Sequence, residues 1–223
     1  MVTTRRPRWS PRGRVRVGEV VAVLGGAILL AGSWVVVAAQ EKVPRWEARL
    51  FSAVNDMSNF WWVLVWGPMQ LGSFLGSLVV VGLTAVISRD RRLTLAALMG
   101  SQAAYWTALT VKDLVSRGRP TAFFTEVRLH DQATGFGYVS GHAAVAFALA
   151  AVLAPSLPRA WRAVVIALAV TVAFGRVYAG VHLPLDVVGG AGLGLLCGTL
   201  ARWAFGLGGE GLPVAPVGDE PPP

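Results

Sequence analysis

Apolar and polar positions alternate along the chain in long blocks. Residues 20–39 run about twenty positions without a charge, the length a helix needs to cross about 30 Å of hydrocarbon. Residues 40–59 then mix Glu41, Lys42, Arg45, Glu47, Arg49 and Asp56 with Trp46, Leu50 and Phe51, a pattern that predicts an amphipathic segment lying at an interface. The apolar run 60–87 is longer than one crossing. Its first part, with Trp61, Trp62 and Trp66 before Gly67-Pro68, reads as an aromatic belt, and the second helix is expected to start near Leu71. After the basic turn at Ser88 to Arg92, residues 93–111 predict a third helix. Residues 112–140 form the longest polar connection, and long connections in compact proteins are more often functional than idle. A fourth helix is expected from Ser140, a suitable N-cap, to Leu153; a fifth over 161–179; and a sixth over 183–205, rich in glycine and small residues that allow close packing.

This pattern predicts an all-α, six-helix membrane bundle over residues 17–205, with no internal repeat. The arginine-rich 1–16 and the proline-ended 206–223 are expected to be disordered tails. The basic start and Val37-Ala38-Ala39 also resemble a cleavable secretory signal. However, the apolar run exceeds the 7–15 residues or so of such a signal, so an uncleaved helix is the reading kept.

Composition changes the picture only in part. With 54% hydrophobic and 14% charged residues and a mean hydropathy of +0.57, the chain is too apolar for an ordinary soluble domain. A net charge of +8 and a pI near 11.0 raise nucleic acid as a partner, but topology accounts for the charge better. Six crossings with the N-terminus inside put twelve arginines and five acids on the cytoplasmic side, against eight basic and seven acidic residues outside. That bias follows the positive-inside rule, so no nucleic acid is expected, both termini are expected to be cytoplasmic, and the 112–140 loop and His182 to be extracytoplasmic. The single Cys197 can form neither an intramolecular disulfide nor a cysteine zinc site.

The candidate chemistry centres on residues 174–186, FGRVYAGVHLPLD. Arg176, His182 and Asp186 interrupt an apolar region, where a central Arg or Asp costs about 2.5–3.5 kcal/mol and needs a reason. In a helix, His182 and Asp186 share a face, so the carboxylate can hold one ring nitrogen while the other points outward as a nucleophile. Pro184 suits the first turn of that helix. An interfacial charge cluster, with Arg176 snorkelling, fits this stretch alone equally well. The same outer face is expected to receive Lys112, Arg119-Pro120 and Ser140-Gly141-His142. Three cations, a hydroxyl and helix-start amides suit a phosphate dianion, whose transfer depends mainly on positioning and charge stabilisation. Gly141 lets such an anion approach the backbone.

The ordered fragments Lys112-x6-Arg119-Pro120, Ser140-Gly141-His142 and Arg176-x5-His182-x3-Asp186 resemble the three-part signature of the type 2 phosphatidic acid phosphatases, whose superfamily includes the vanadium haloperoxidases. The resemblance implies that His182 attacks phosphorus to form a phosphohistidine, and that His142 protonates the leaving alcohol and then activates water. It also implies that Asp186 holds His182 in its reactive tautomer and that Lys112, Arg119, Ser140, Gly141 and Arg176 bind the phosphate. Two positions depart from the pattern: Val139 stands where the family usually has proline, and Gly175 where it usually has serine. Neither removes a charged or nucleophilic member. Outside the motif, Arg117 reads as an interfacial charge, His130 as loop surface, and Trp61, Trp62, Trp66 and Trp106 as belt and packing.

The expected activity is a metal-independent, cofactor-free lipid phosphatase acting on phosphatidate, phosphatidylglycerophosphate or a polyprenyl diphosphate, since the motif has one carboxylate where hard cations use several oxygens. A non-catalytic lipid-phosphate binder or lipid mover is the alternative; it would have no use for His182 beside Asp186. A vanadate peroxidase fits poorly with six crossings, and a transporter fits poorly with the missing repeat. The sequence does not fix an oligomeric state.

Overall fold

The computed structural model describes residues 16–40, 42–132 and 134–209. The two tails expected from composition therefore lie almost entirely outside the described residues. The described residues form eight α-helices and no strand: α1 (Val17–Ala38), α2 (Arg45–Asn55), α3 (Phe60–Gln70), α4 (Phe74–Ser88), α5 (Arg91–Val115), α6 (Gly141–Leu153), α7 (Arg159–Tyr178) and α8 (Pro184–Ala204). Short 3-10 turns at Pro120–Ala122 and Ala154–Ser156 complete the connections.

The helix ends follow local chemistry. Asp90 caps α5 by accepting from the amides of Arg92 and Leu93, Ser73 caps α4 at Gly76, and Pro184 takes the first position of α8, where a missing N–H costs nothing. The apolar run 60–87 breaks at residues 71–73, and α3 and α4 meet there at 62°. α1, α7 and α8 are each long and apolar enough to cross a membrane, and the bent α3–α4 pair adds a fourth candidate. These helices make the chain a membrane protein.

The bundle is built on α6 and α8. Gly190, Gly194 and Gly198 form one row of α8, and a side chain on any of them would run into the α6 carbonyls of Ser140, Ala144 and Ala148. On the next face of α8, Gly192 meets Gly26 of α1 just as closely, with 2.6 Å between a would-be Cβ and the Gly26 carbonyl. α5 lays Ala96, Ala97, Gly100, Ala104 and Ala108 against the same pair, and α7 packs Ala169 and Val172 on Ala146 and Ala150 of α6. Leu207, just past α8, is buried, and its carbonyl accepts from Arg202. α2 has two faces: Glu47, Phe51 and Asn55 point inward, while Trp46 and Leu50 are half exposed.

Candidate active site

The C-terminal ends of α5 and α7 and the N-terminal ends of α6 and α8 meet at one end of the bundle, under the loop that joins α5 to α6. The loop is tied down at several points. Asn55 of α2 bonds Arg128 through both its backbone N–H (3.0 Å) and its carbonyl (2.8 Å), and also reaches the Tyr178 carbonyl. Phe124 stacks on Phe51 at 5.3 Å, and the buried Tyr138 hydroxyl reaches Ser33 and the Leu30 carbonyl of α1.

All eight residues singled out from the sequence come to this end. Arg176, in the last turn of α7, and His182, in the α7–α8 loop, are buried, as is Asp186 in the first turn of α8. Lys112 donates to the carbonyls of Phe136 (2.9 Å) and Gly137 (3.2 Å). Arg119 donates to those of Thr134, Gly135 and Val181, so the 134–137 turn orients two cations with its carbonyls. Ser140 is the N-cap of α6, its hydroxyl 3.5 Å from the Ala143 amide. Its own N–H is spent on the Asp186 carbonyl at 2.8 Å, so the helix-start amides open to an anion are those of Gly141 and His142.

His182 lies within the fields of Lys112, Arg176, Arg119 and His142. Burial first, and then these positive charges, hold its pKa well below the ordinary imidazole range, so the ring is neutral at pH 7. Its Nδ1 stands 3.4 Å from Asp186 Oδ2, beyond the usual N–H···O range of about 2.7–3.2 Å. The Asp186 carboxylate is instead fixed by the Leu183 amide (2.8 Å) and by Arg117 (2.7 Å).

Three participants were not read as such in the sequence. Arg117, taken as an interfacial charge, is a buried ion-pair member: its Nη2 meets Glu47 Oε2 at 2.6 Å while its Nη1 holds Asp186. Glu47, fully buried on α2, also accepts from the Leu185 amide at 2.9 Å. Asp131 pairs with Arg176 at 2.6 Å. His130, expected on the loop surface, is half-buried; its ring stacks on Tyr178 at 4.9 Å and packs on Trp62 at 5.3 Å. Trp62 accordingly faces inward, whereas Trp61, Trp66 and Trp106 are exposed as belt residues should be. A cavity of about 630 Å³, lined by Arg119, His130, Asp131, Gln132, Thr134 and Val181 among others, opens under the loop.

A helical membrane bundle with cations and two histidines gathered at one end is the class that these features define. The family model of the PAP2 superfamily matches residues 91–207, and the chain belongs to that superfamily. Among solved structures it is similar to Aquifex aeolicus LpxE, with a TM-score of 0.64 and 24% identity over 69% of this chain and 93% of that one. It is also similar to the first transmembrane PAP2-type phosphatidylglycerolphosphate phosphatase from Bacillus subtilis, with a TM-score of 0.62 and 23% identity over 82% of this chain and 94% of that one. No curated protein matches the chain in sequence.

Proposed function

We propose that the chain is an integral membrane lipid phosphatase that hydrolyses a lipid phosphate monoester or diphosphate through a phosphohistidine. The observation that carries this reading is His182: a buried, neutral imidazole held among Lys112, Arg119, Arg176 and His142. A cation cage alone would suit a binder; an imidazole kept deprotonated inside it suits a nucleophile.

In the first step the free nitrogen of His182 bonds to phosphorus, and the bond from phosphorus to the leaving oxygen breaks. His142 gives that oxygen its proton. In the second step His142 takes a proton from water, the water oxygen bonds to phosphorus, and the P–N bond breaks to release inorganic phosphate. Arg176, Lys112, Arg119 and the first-turn amides of α6 balance the oxygens' charge in both steps. The reaction is metal-independent in this reading, because both oxygens of Asp186, the one carboxylate of the motif, are engaged by Arg117 and Leu183. Phosphatidate, phosphatidylglycerophosphate and polyprenyl diphosphate are the candidate substrates, and membership of a superfamily that includes a phosphatidylglycerolphosphate phosphatase supports the class.

The site faces the extracytoplasmic side in this proposal, and both termini the cytoplasm. α5 and α6 complete six crossings with α1, the α3–α4 pair, α7 and α8. α6 is only about 20 Å long, but it is almost wholly covered by other helices and has no need to match the lipid.

The test is phosphate release by purified protein in micelles with a chelator present, across the three lipids, with His182→Ala as control. Release that survives the chelator, disappears in the variant and leaves an acid-labile phosphoenzyme in the wild type is the expected result. A folded wild type that releases nothing would leave the non-catalytic binder as the better reading.

A further inference from the structure

The buried charges behind His182 do not balance. Glu47 and Asp186 are both fully buried, and among the described residues Arg117, with 8% of its side chain exposed, is the guanidinium that pairs with both. Its Nη2 bonds Glu47 Oε2 at 2.6 Å and its Nη1 bonds Asp186 Oδ1 at 2.7 Å, with Glu47 Oε1 a further 3.2 Å from the same nitrogen. Two carboxylates thus share one cation. If Arg117 served Asp186 alone, a close pair in a dry site would cancel most of the carboxylate's field at His182. Glu47 draws half of the guanidinium away. It also bonds the Leu185 amide at 2.9 Å, so it fixes the first turn of α8, which carries Asp186.

We propose that Glu47, through Arg117, is a positioning residue for the nucleophile: it orients the Asp186 carboxylate behind His182 and places a second carboxylate there. The proposal rests on the phosphatase reading above. Its chemical content is the charge that appears on His182 during reaction. When the ring nitrogen bonds to phosphorus, its lone pair is spent and the imidazole becomes cationic, with its remaining proton directed to the 3.4 Å neighbour Asp186. A net negative cluster behind the ring favours that state, while Lys112, Arg119 and Arg176 in front favour the phosphoryl oxygens. The site is polarised along one axis, and Glu47 supplies the uncompensated charge at its rear. Glu47 sits on the inward face of α2, whose other face presents Trp46 and Leu50, so this charge is delivered by a helix outside the motif.

The groups that act on the pair are Arg117 and Glu47 from behind and Lys112, Arg119, Arg176, His142 and Asp131 from the front. A pH profile therefore reports on the rear cluster only when the front is left intact. The experiment compares wild type, Glu47→Gln, Arg117→Lys and the double variant, measuring kcat, KM and the pH dependence of kcat, with folding checked by gel filtration and thermal melting. Glu47→Gln is expected to lower kcat by about 10- to 100-fold, the range found when the partner behind a metal-bound histidine is removed, with KM within about threefold. Loss of a negative charge makes His182 harder to protonate, so the acid limb of kcat moves to lower pH. The double variant should be no slower than the slower single variant, because both act through Asp186.

A folded Glu47→Gln with wild-type kcat, or with an unmoved acid limb, overturns the proposal. Additive losses in the double variant overturn it as well. Should Glu47→Gln not fold, Arg117→Lys, which keeps the charge and loses the bidentate fork, decides by the same readouts. Failure of both to fold makes the pair a structural tie and overturns the positioning role. A folded wild type that releases no phosphate rejects the parent reading instead, which is a distinct result.

Discussion

Acidification sets His182 apart from its unfolded counterpart. In the unfolded chain a histidine takes up a proton near pH 6.5, whereas in the bundle burial and three neighbouring cations keep the His182 ring neutral far below that. The folded pKa is depressed, so the unfolded state binds more protons as pH falls. The stabilisation is complete above about 6.5 and is lost progressively below it. Thermal melts between pH 8 and pH 5 should show a steeper loss for wild type than for His182→Asn, which has no such group to protonate. Arg117→Ala should be the most damaging single change near the site. It strands Glu47 and Asp186 together, and removing one partner of a buried ionic group costs about 3–5 kcal/mol. A melting temperature well below that of wild type, measured independently of activity, would check it. The eight motif residues were legible because their types and spacings are tied to the chemistry they serve. Arg117 and Glu47 lie outside any motif, seventy positions apart, and only the inward stripe Glu47, Phe51, Asn55 at helical spacing hinted that α2 had a polar core face. Asp131 carried no signal, since nothing local in a long loop says which distant arginine it will meet.

Helices were legible almost to their ends, because lipid length and polar turns bound them and the caps at Asp90, Ser140 and Pro184 mark their starts. The exception was the run 60–87, where uniform apolarity hides the break; the 62° bend at residues 71–73 follows from Pro68 and the Ser73 cap rather than from any change in hydropathy. Two element-scale tests follow. Gly194→Leu should separate α6 from α8, since its Cβ would meet the Ala144 carbonyl, and overpacking of this kind costs about 1–3 kcal/mol or more. Reduced yield of folded protein and a lower melting temperature are the expected result. Gly175→Ser, by contrast, should be accepted: a Cβ there meets Met69 Sδ at 3.4 Å, an ordinary contact. The variant restores the hydroxyl that the motif usually carries, and its melting temperature should match wild type.

Across the whole molecule, the four helix ends that build the site lie together at one end, and the basic turns at Arg89 and Arg159 lie at helix ends of the opposite sense. In a Cys197→Ser background, a cysteine at position 126 should react with an impermeant maleimide in intact cells, and one at position 90 should not; the reverse pattern would invert the proposed topology. The ion pair between Asp131 and Arg176 has a consequence of its own. Arg176 already has an anion, supplied by the chain at 2.6 Å from a loop residue that is about one-third exposed. A phosphate therefore reaches it by exchange, with the loop carboxylate as the resident competitor, and leaves the same way. Such a site discriminates by how strongly an anion bids against an aspartate. Asp131→Asn should tighten inorganic phosphate as a product inhibitor, and turnover at high phosphate should slow accordingly: a site that cleaves phosphate esters in a phosphate-containing medium would then owe its freedom from product to a single carboxylate.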